Sequence, residues 1–87
     1  MMGLSWEVVA YDESQLQKLQ LSNESCAFCD LSKARLNKEN LSNKNLTQVN
    51  LTQAYLIGAD LSGANLTDAT LTGAHLNTAN LSKANLN

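Results

Sequence analysis

Proline is absent from this 87-residue chain, glycine occurs four times, and aromatic residues make up only 5%. With so little proline and glycine, the chain's regularity is not that of a linker-like segment of low complexity. Charged residues are also sparse at 16%, and the formal net charge of −2 gives no basic footprint for nucleic acid. No apolar run reaches the length of about eighteen residues that a membrane-spanning helix requires. With one histidine, His75, and two cysteines, Cys26 and Cys29, the chain offers no four-ligand zinc pattern. His75 likewise has no serine and aspartate arranged around it, so no catalytic triad is expected. The size is that of one small domain, for which a compact core alone gives marginal stability.

What is abundant is leucine at a fixed interval. It occupies positions 31, 36, 41, 46, 51, 56, 61, 66, 71, 76, 81 and 86, and eleven asparagines accompany it. On an α-helix a step of five advances about 500°, so these leucines would form no stripe. On a continuous strand an odd interval would send them to alternate faces. A three-residue strand followed by a two-residue corner accommodates both the interval and the chemistry.

In that frame leucine points inward, and so does the residue two before it. The second inward slot reads Cys29, Ala34, Glu39, Lys44, Val49, and then alanine from Ala54 to Ala84. The slot between is outward: Asp30, Arg35, Asn40, Asn45, Asn50, Tyr55, Asp60, Asn65, Thr70, His75, Asn80 and Asn85. Serine, threonine or asparagine follows each leucine except at Ile57. No single unit can bury its own leucine, so the repeats must stack. Asparagine, serine and threonine side chains that hydrogen-bond turn backbone explain the asparagine excess. The sequons at Asn23, Asn40, Asn45, Asn50, Asn65 and Asn80 are mostly this repeat in another guise and are not read as glycosylation sites.

The motif Ala-(Asn/Asp)-Leu-(Ser/Thr)-X resembles the pentapeptide-repeat proteins. That resemblance implies an all-β fold: a right-handed quadrilateral β-helix of about three coils, four pentads and twenty residues to a coil. Each leucine then lies over another twenty positions away, as with Leu31, Leu51 and Leu71. Two regions are expected: a cap over residues 1–25 and the repeats over 26–87. In the cap, Asp12 is placed to start a helix through SQLQKLQ, with Leu16 and Leu19 on one face, and WEVVA before it reads as extended. A lid there would protect the open edge of the first coil from pairing with other chains.

Cys26 and Cys29 face inward across one corner in the repeat frame, close enough for a disulfide. Two buried thiols are the alternative, with redox or metal chemistry a more distant one. The stretch CAFCDLSKARL is similar to the opening of cyanobacterial and chloroplast-lumen members of the family. Glu39 and Lys44 fill slots that should hold alanine; a local ion pair between them would offset the cost of burying charge, and a ligand pocket under the cap is the alternative. Stacking by twenty aligns Arg35, Tyr55 and His75 in one column, with Ile57 beside it. Arginine over an aromatic ring would contribute about 0.5–1 kcal/mol, and this mixture of side chains resembles an interface hot spot.

The function expected is that of a non-catalytic structural or protein-binding module with no cofactor, no metal, no nucleic-acid ligand and no membrane partner. One alternative is a DNA mimic that inhibits or protects DNA gyrase, as some members of the family do. The small and mixed charge of these repeats argues against it. Another is a redox-responsive lumenal or periplasmic protein using the Cys-x-x-Cys pair. The opening residues carry no signal peptide, so the location expected is cytoplasmic, or the thylakoid lumen or periplasm after removal of a presequence. The repeats run to Leu86-Asn87 without a polar terminal unit, which suggests a homodimer through that end or a longer chain.

Overall fold

A computed structural model of the chain describes residues 11–21 and 25–87. The extended segment expected at residues 6–10 lies outside the described residues.

Helix α1 spans Glu13–Leu21. Asp12 starts it as its sequence position suggests: one carboxylate oxygen accepts from the Ser14 N–H at 3.0 Å, the Gln15 N–H at 3.4 Å and the Ser14 hydroxyl at 2.7 Å. These bonds satisfy amide donors that a first helical turn otherwise leaves open. Leu19 is fully buried and Leu16 packs against the same core.

From Asp30 to Asn85 the chain repeats one five-residue course. Residues 31–34 show it. Leu31 points inward, Ser32 and Lys33 turn the corner, and the Ala34 N–H closes the turn on the Leu31 carbonyl at 3.0 Å. The second corner residue is left-handed at every one of the twelve corners from Phe28 to Lys83, with φ between 55° and 71°. This is the backbone pattern of a type II turn, whose third position needs positive φ. Three of those positions are glycine and nine are not.

Successive coils pair in parallel twenty residues apart, from Asp30 with Asn50 through to Asn65 with Asn85. Each pentad sends two N–H groups to the coil that follows and receives one in return. Leu36 donates to Tyr55 O at 2.8 Å, Lys38 to Ile57 O at 2.9 Å, and Tyr55 donates back to Ala34 O at 2.9 Å. The three-residue strands expected from the pentad shrink to isolated bridges at the outward residue. The physical reason is the corner: two of every five residues leave the strand conformation, so no pairing runs long enough to make an extended ladder.

Inside the stack, Leu31, Leu36, Leu41, Leu46, Leu51, Leu56, Leu61 and Leu66 are buried, together with Ala34, Val49, Ala54, Ala59 and Ala64. Burial then fades: Leu71, Leu76 and Leu81 are half-buried and Leu86 is exposed. At the other end, α1 supplies what a preceding coil would supply. The Asp12 N–H donates to the Asp30 carbonyl at 3.0 Å, and the Gln15 side-chain oxygen accepts from the Asp30 N–H at 2.7 Å. Both backbone groups of the first bridging residue are thereby satisfied, as a buried or half-buried edge requires.

Candidate functional site

Outward asparagine and aspartate side chains have a uniform job in this molecule. Each accepts a hydrogen bond from the backbone N–H two residues on, at 3.0 to 3.2 Å, at Asp30, Asn40, Asn45, Asn50, Asp60, Asn65, Asn80 and Asn85. In seven of the eight the same oxygen also accepts from the serine or threonine hydroxyl there. Such Asx turns hold the corner at each step. The hydroxyl of Ser62, and after it the Ser62 N–H, hold the Asp60 carboxyl below its ordinary value.

Four outward residues are neither asparagine nor aspartate: Arg35, Tyr55, Thr70 and His75. Three of the four share a wall, bridged Arg35 to Tyr55 and Tyr55 to His75. One wall has therefore given up its corner-holding asparagines in all three coils. A partial replacement exists, because the Asn37 side-chain oxygen accepts from the Ile57 N–H at 2.9 Å across the coil boundary.

On that wall the Tyr55 ring lies flat on the His75 imidazole, centroids 4.9 Å apart and planes 4° from parallel. Tyr55 is 39% exposed and Ile57 40%. Tyr55 divides two open depressions. One, of about 300 Å³, is lined by Arg35, Asn37 and Tyr55. The other, of about 470 Å³, is lined by Lys33, Gln53, Tyr55, Gly73 and His75. Gly73 matters to the second: a Cβ there would stand 3.1 Å from Gln53 Cγ, so the glycine lets the side chain above lie down over it.

The charge of the wall differs from that of the chain. Its outward and corner positions hold Lys33, Arg35 and Lys38 and no aspartate or glutamate, a formal +3 on a chain of net −2.

The structure thus brings Arg35, Tyr55, Ile57 and His75 to one wall. Counting by twenty aligns Tyr55 with His75, but residue types alone do not single out their ring-on-ring stack. The sequence reading missed Phe28; it is 70% exposed at a left-handed corner. The signal for it was present, because Phe28 falls in the second corner slot once Cys26 is counted as a leucine position.

Glu39 and Lys44 stand half-buried in consecutive alanine slots. Their carbonyls still accept from the Asp60 and Asn65 N–H groups at 2.9 Å, so the larger side chains leave the coil pairing intact. Cys26 and Cys29 are joined in a disulfide with Cα atoms 5.3 Å apart. Both are buried, and Cys26 Sγ lies 3.7 Å from the Gln15 carbonyl of α1. A disulfide buried to this degree is shielded from attacking thiolates. Among the described residues no group of three or more histidine, cysteine, aspartate or glutamate side chains is placed to hold a metal ion, and no helix is long and apolar enough to cross a membrane.

These repeats match the family model described as pentapeptide repeats, in eight copies over residues 25–63 and 59–87. The chain belongs to the pentapeptide-repeat family, whose members fold in general as β-helices and are typically non-catalytic. No curated protein matches it.

Proposed function

We propose that this protein is a protein-binding module whose docking surface is the wall of Arg35, Tyr55, Ile57 and His75. In this reading the coils form a right-handed quadrilateral β-helix, residues 1–25 cap it, and Glu39 pairs with Lys44. The observation that carries the proposal is the loss of corner-holding asparagines on this wall in every coil. Eight other outward positions keep that device. Giving it up three times in one column costs local stability and returns an exposed arginine, a stacked pair of rings and an aliphatic side chain. Arginine and aromatic residues are the side chains that anchor protein interfaces.

The experiment is affinity capture from the source cell with wild type beside the triple variant Arg35→Asn, Tyr55→Asn, Ile57→Ser. Proteins retained by wild type and lost from the folded variant support the reading. An identical set on both sinks it. The half-exposed Leu71, Leu76 and Leu81 and the exposed Leu86 offer a second apolar surface, for another copy or for further coils of a longer chain; sedimentation of wild type beside Leu86→Ser tests the first.

A further inference from the structure

The partner's chemistry can be taken one step further, resting on that docking surface. The wall is bracketed by cations. Lys33 stands at the corner before Arg35 and Lys38 at the corner after it, all three exposed and all in the same coil. The Lys38 stem lies over Gly58 of the coil that follows, where an added Cβ would meet its Cγ at 3.4 Å. Directly along the wall from this row of positive charge come Tyr55 and then His75, rings stacked. The two depressions each join a cation to the tyrosine, Arg35 in one and Lys33 in the other.

We infer that this wall binds an extended acidic segment of a protein partner, with carboxylates against Lys33, Arg35 and Lys38 and an aromatic or aliphatic side chain against Tyr55. Charge complementarity is the argument for acid. A surface of +3 on a chain of −2 attracts an anionic partner to one wall and repels it from the rest. The ring stack and Ile57 argue for a segment that also carries apolar side chains, since cations alone would select charge without register. Single-stranded nucleic acid also presents anions and stackable rings, but the net negative charge of the chain disfavours a polyanion that must lie along much of its surface.

The probe is a decapeptide of alternating glutamate and tyrosine, titrated into the isotopically labelled protein and followed by amide chemical shifts. Three comparison probes are used: the lysine–tyrosine analogue, the serine–tyrosine analogue, and a thymidine decanucleotide. The result expected is shifts centred on residues 33–38, 53–57 and 73–77 with the glutamate peptide only. Its affinity should fall at least tenfold when ionic strength rises from about 0.05 to about 0.5 M. It should fall by a similar factor in Lys33→Glu/Arg35→Glu/Lys38→Glu, and stay unchanged in Lys83→Glu, which alters charge on another corner. The melting temperature of each variant shows that it is folded. Equal binding of the lysine or serine analogue, equal binding to the charge-reversed wall, or stronger binding of the thymidine strand overturns the acidic-segment assignment. If the glutamate peptide fails while the triple variant still loses its captured partner, the docking wall stands and the partner's acidity is wrong.

Discussion

The Tyr55 ring rests on the His75 imidazole at 4.9 Å although twenty residues of chain separate them. The contact is a direct product of the repeat. Parallel bridging fixes the two Cα atoms one coil apart, and flat side chains leaving the same wall in the same direction have nowhere to go but onto each other. Offset-stacked rings at such spacing contribute about 0.5–1.5 kcal/mol beyond their buried area. Asparagine at both positions would instead place an Asx-turn acceptor at each corner, at 55 in competition with Asn37 for the Ile57 N–H. Tyr55→Asn/His75→Asn is therefore expected to melt within a few degrees of wild type. A loss above about 10 °C, measured by circular dichroism, would mean that the stack is needed for folding and would weaken the case for a binding role.

Leu51 lies in the middle coil between Leu31 and Leu71 and is fully buried. Neighbours above and below are held by backbone pairing, so the space left by Leu51→Ala cannot collapse easily. A cost of about 2–5 kcal/mol is expected, a large share of a small domain's total stability. Leu86 is 55% exposed, and Leu86→Ala should cost well under 1 kcal/mol. Urea denaturation of the two variants separates them; similar midpoints would contradict the stacked core.

Part of the fold's acid sensitivity should be traceable to Asp60, with Asp12 at the start of α1 the other carboxyl held below its ordinary value. Asp60 accepts the Ser62 hydroxyl and N–H, which lowers its pKa below the ordinary 3.8. A carboxyl with a lowered folded pKa stabilises the fold above its unfolded pKa, and that contribution is lost as pH falls through the folded value. Asn40 and Asn80, in the same column, make the same bonds with no titrating group. The melting temperature of Asp60→Asn relative to wild type should therefore rise as pH falls below about 4. Melting curves that stay parallel from neutral to acid pH would remove Asp60 from the account.

Corners give the fourth prediction. Thr78 is a β-branched residue at φ 59°, and a left-handed conformation costs an ordinary residue about 1–2 kcal/mol. Glycine avoids that cost while adding about 0.5–1 kcal/mol of unfolded-state entropy. Thr78→Gly should therefore raise the melting temperature by a few degrees. Gly63→Ala should lower it, because φ is 70° there and an L side chain is strained in that conformation; the Asn43 side chain, whose tip the new Cβ would meet, can swing aside. Opposite signs are the test; two losses would show that the Thr78 hydroxyl bond to the Asn77 carbonyl matters more than the backbone.

Much of this architecture was readable before any coordinates. Leucine every fifth residue, alanine two before it and polar corners between leave few alternatives, and the columns then follow by arithmetic. Other features were hidden for physical reasons. The left-handed corner falls on lysine, glutamine, aspartate, threonine and phenylalanine as well as glycine, so composition does not mark it; stacking between coils imposes it. The reach of the cap onto Asp30 depends on how α1 is oriented, which a helical pattern alone does not state. The candidate wall was half legible. Arg35, Tyr55 and His75 could be aligned by counting, yet their significance came from seeing what asparagine does at the other outward positions.

A corner at every fifth residue makes this chain a counter. A single residue inserted after Leu66 has to loop out at that corner; threaded into the course instead, it would put Thr70 and His75 in the leucine slots and Leu71 and Leu76 at corners. Inserting one whole pentad would keep every leucine indoors but turn the remaining chain by a quarter of a circuit, carrying His75 away from Tyr55. Only four added pentads return each later side chain to its own wall, one storey lower. Length changes in multiples of twenty are thus the ones this molecule can absorb while keeping its surface pattern in phase.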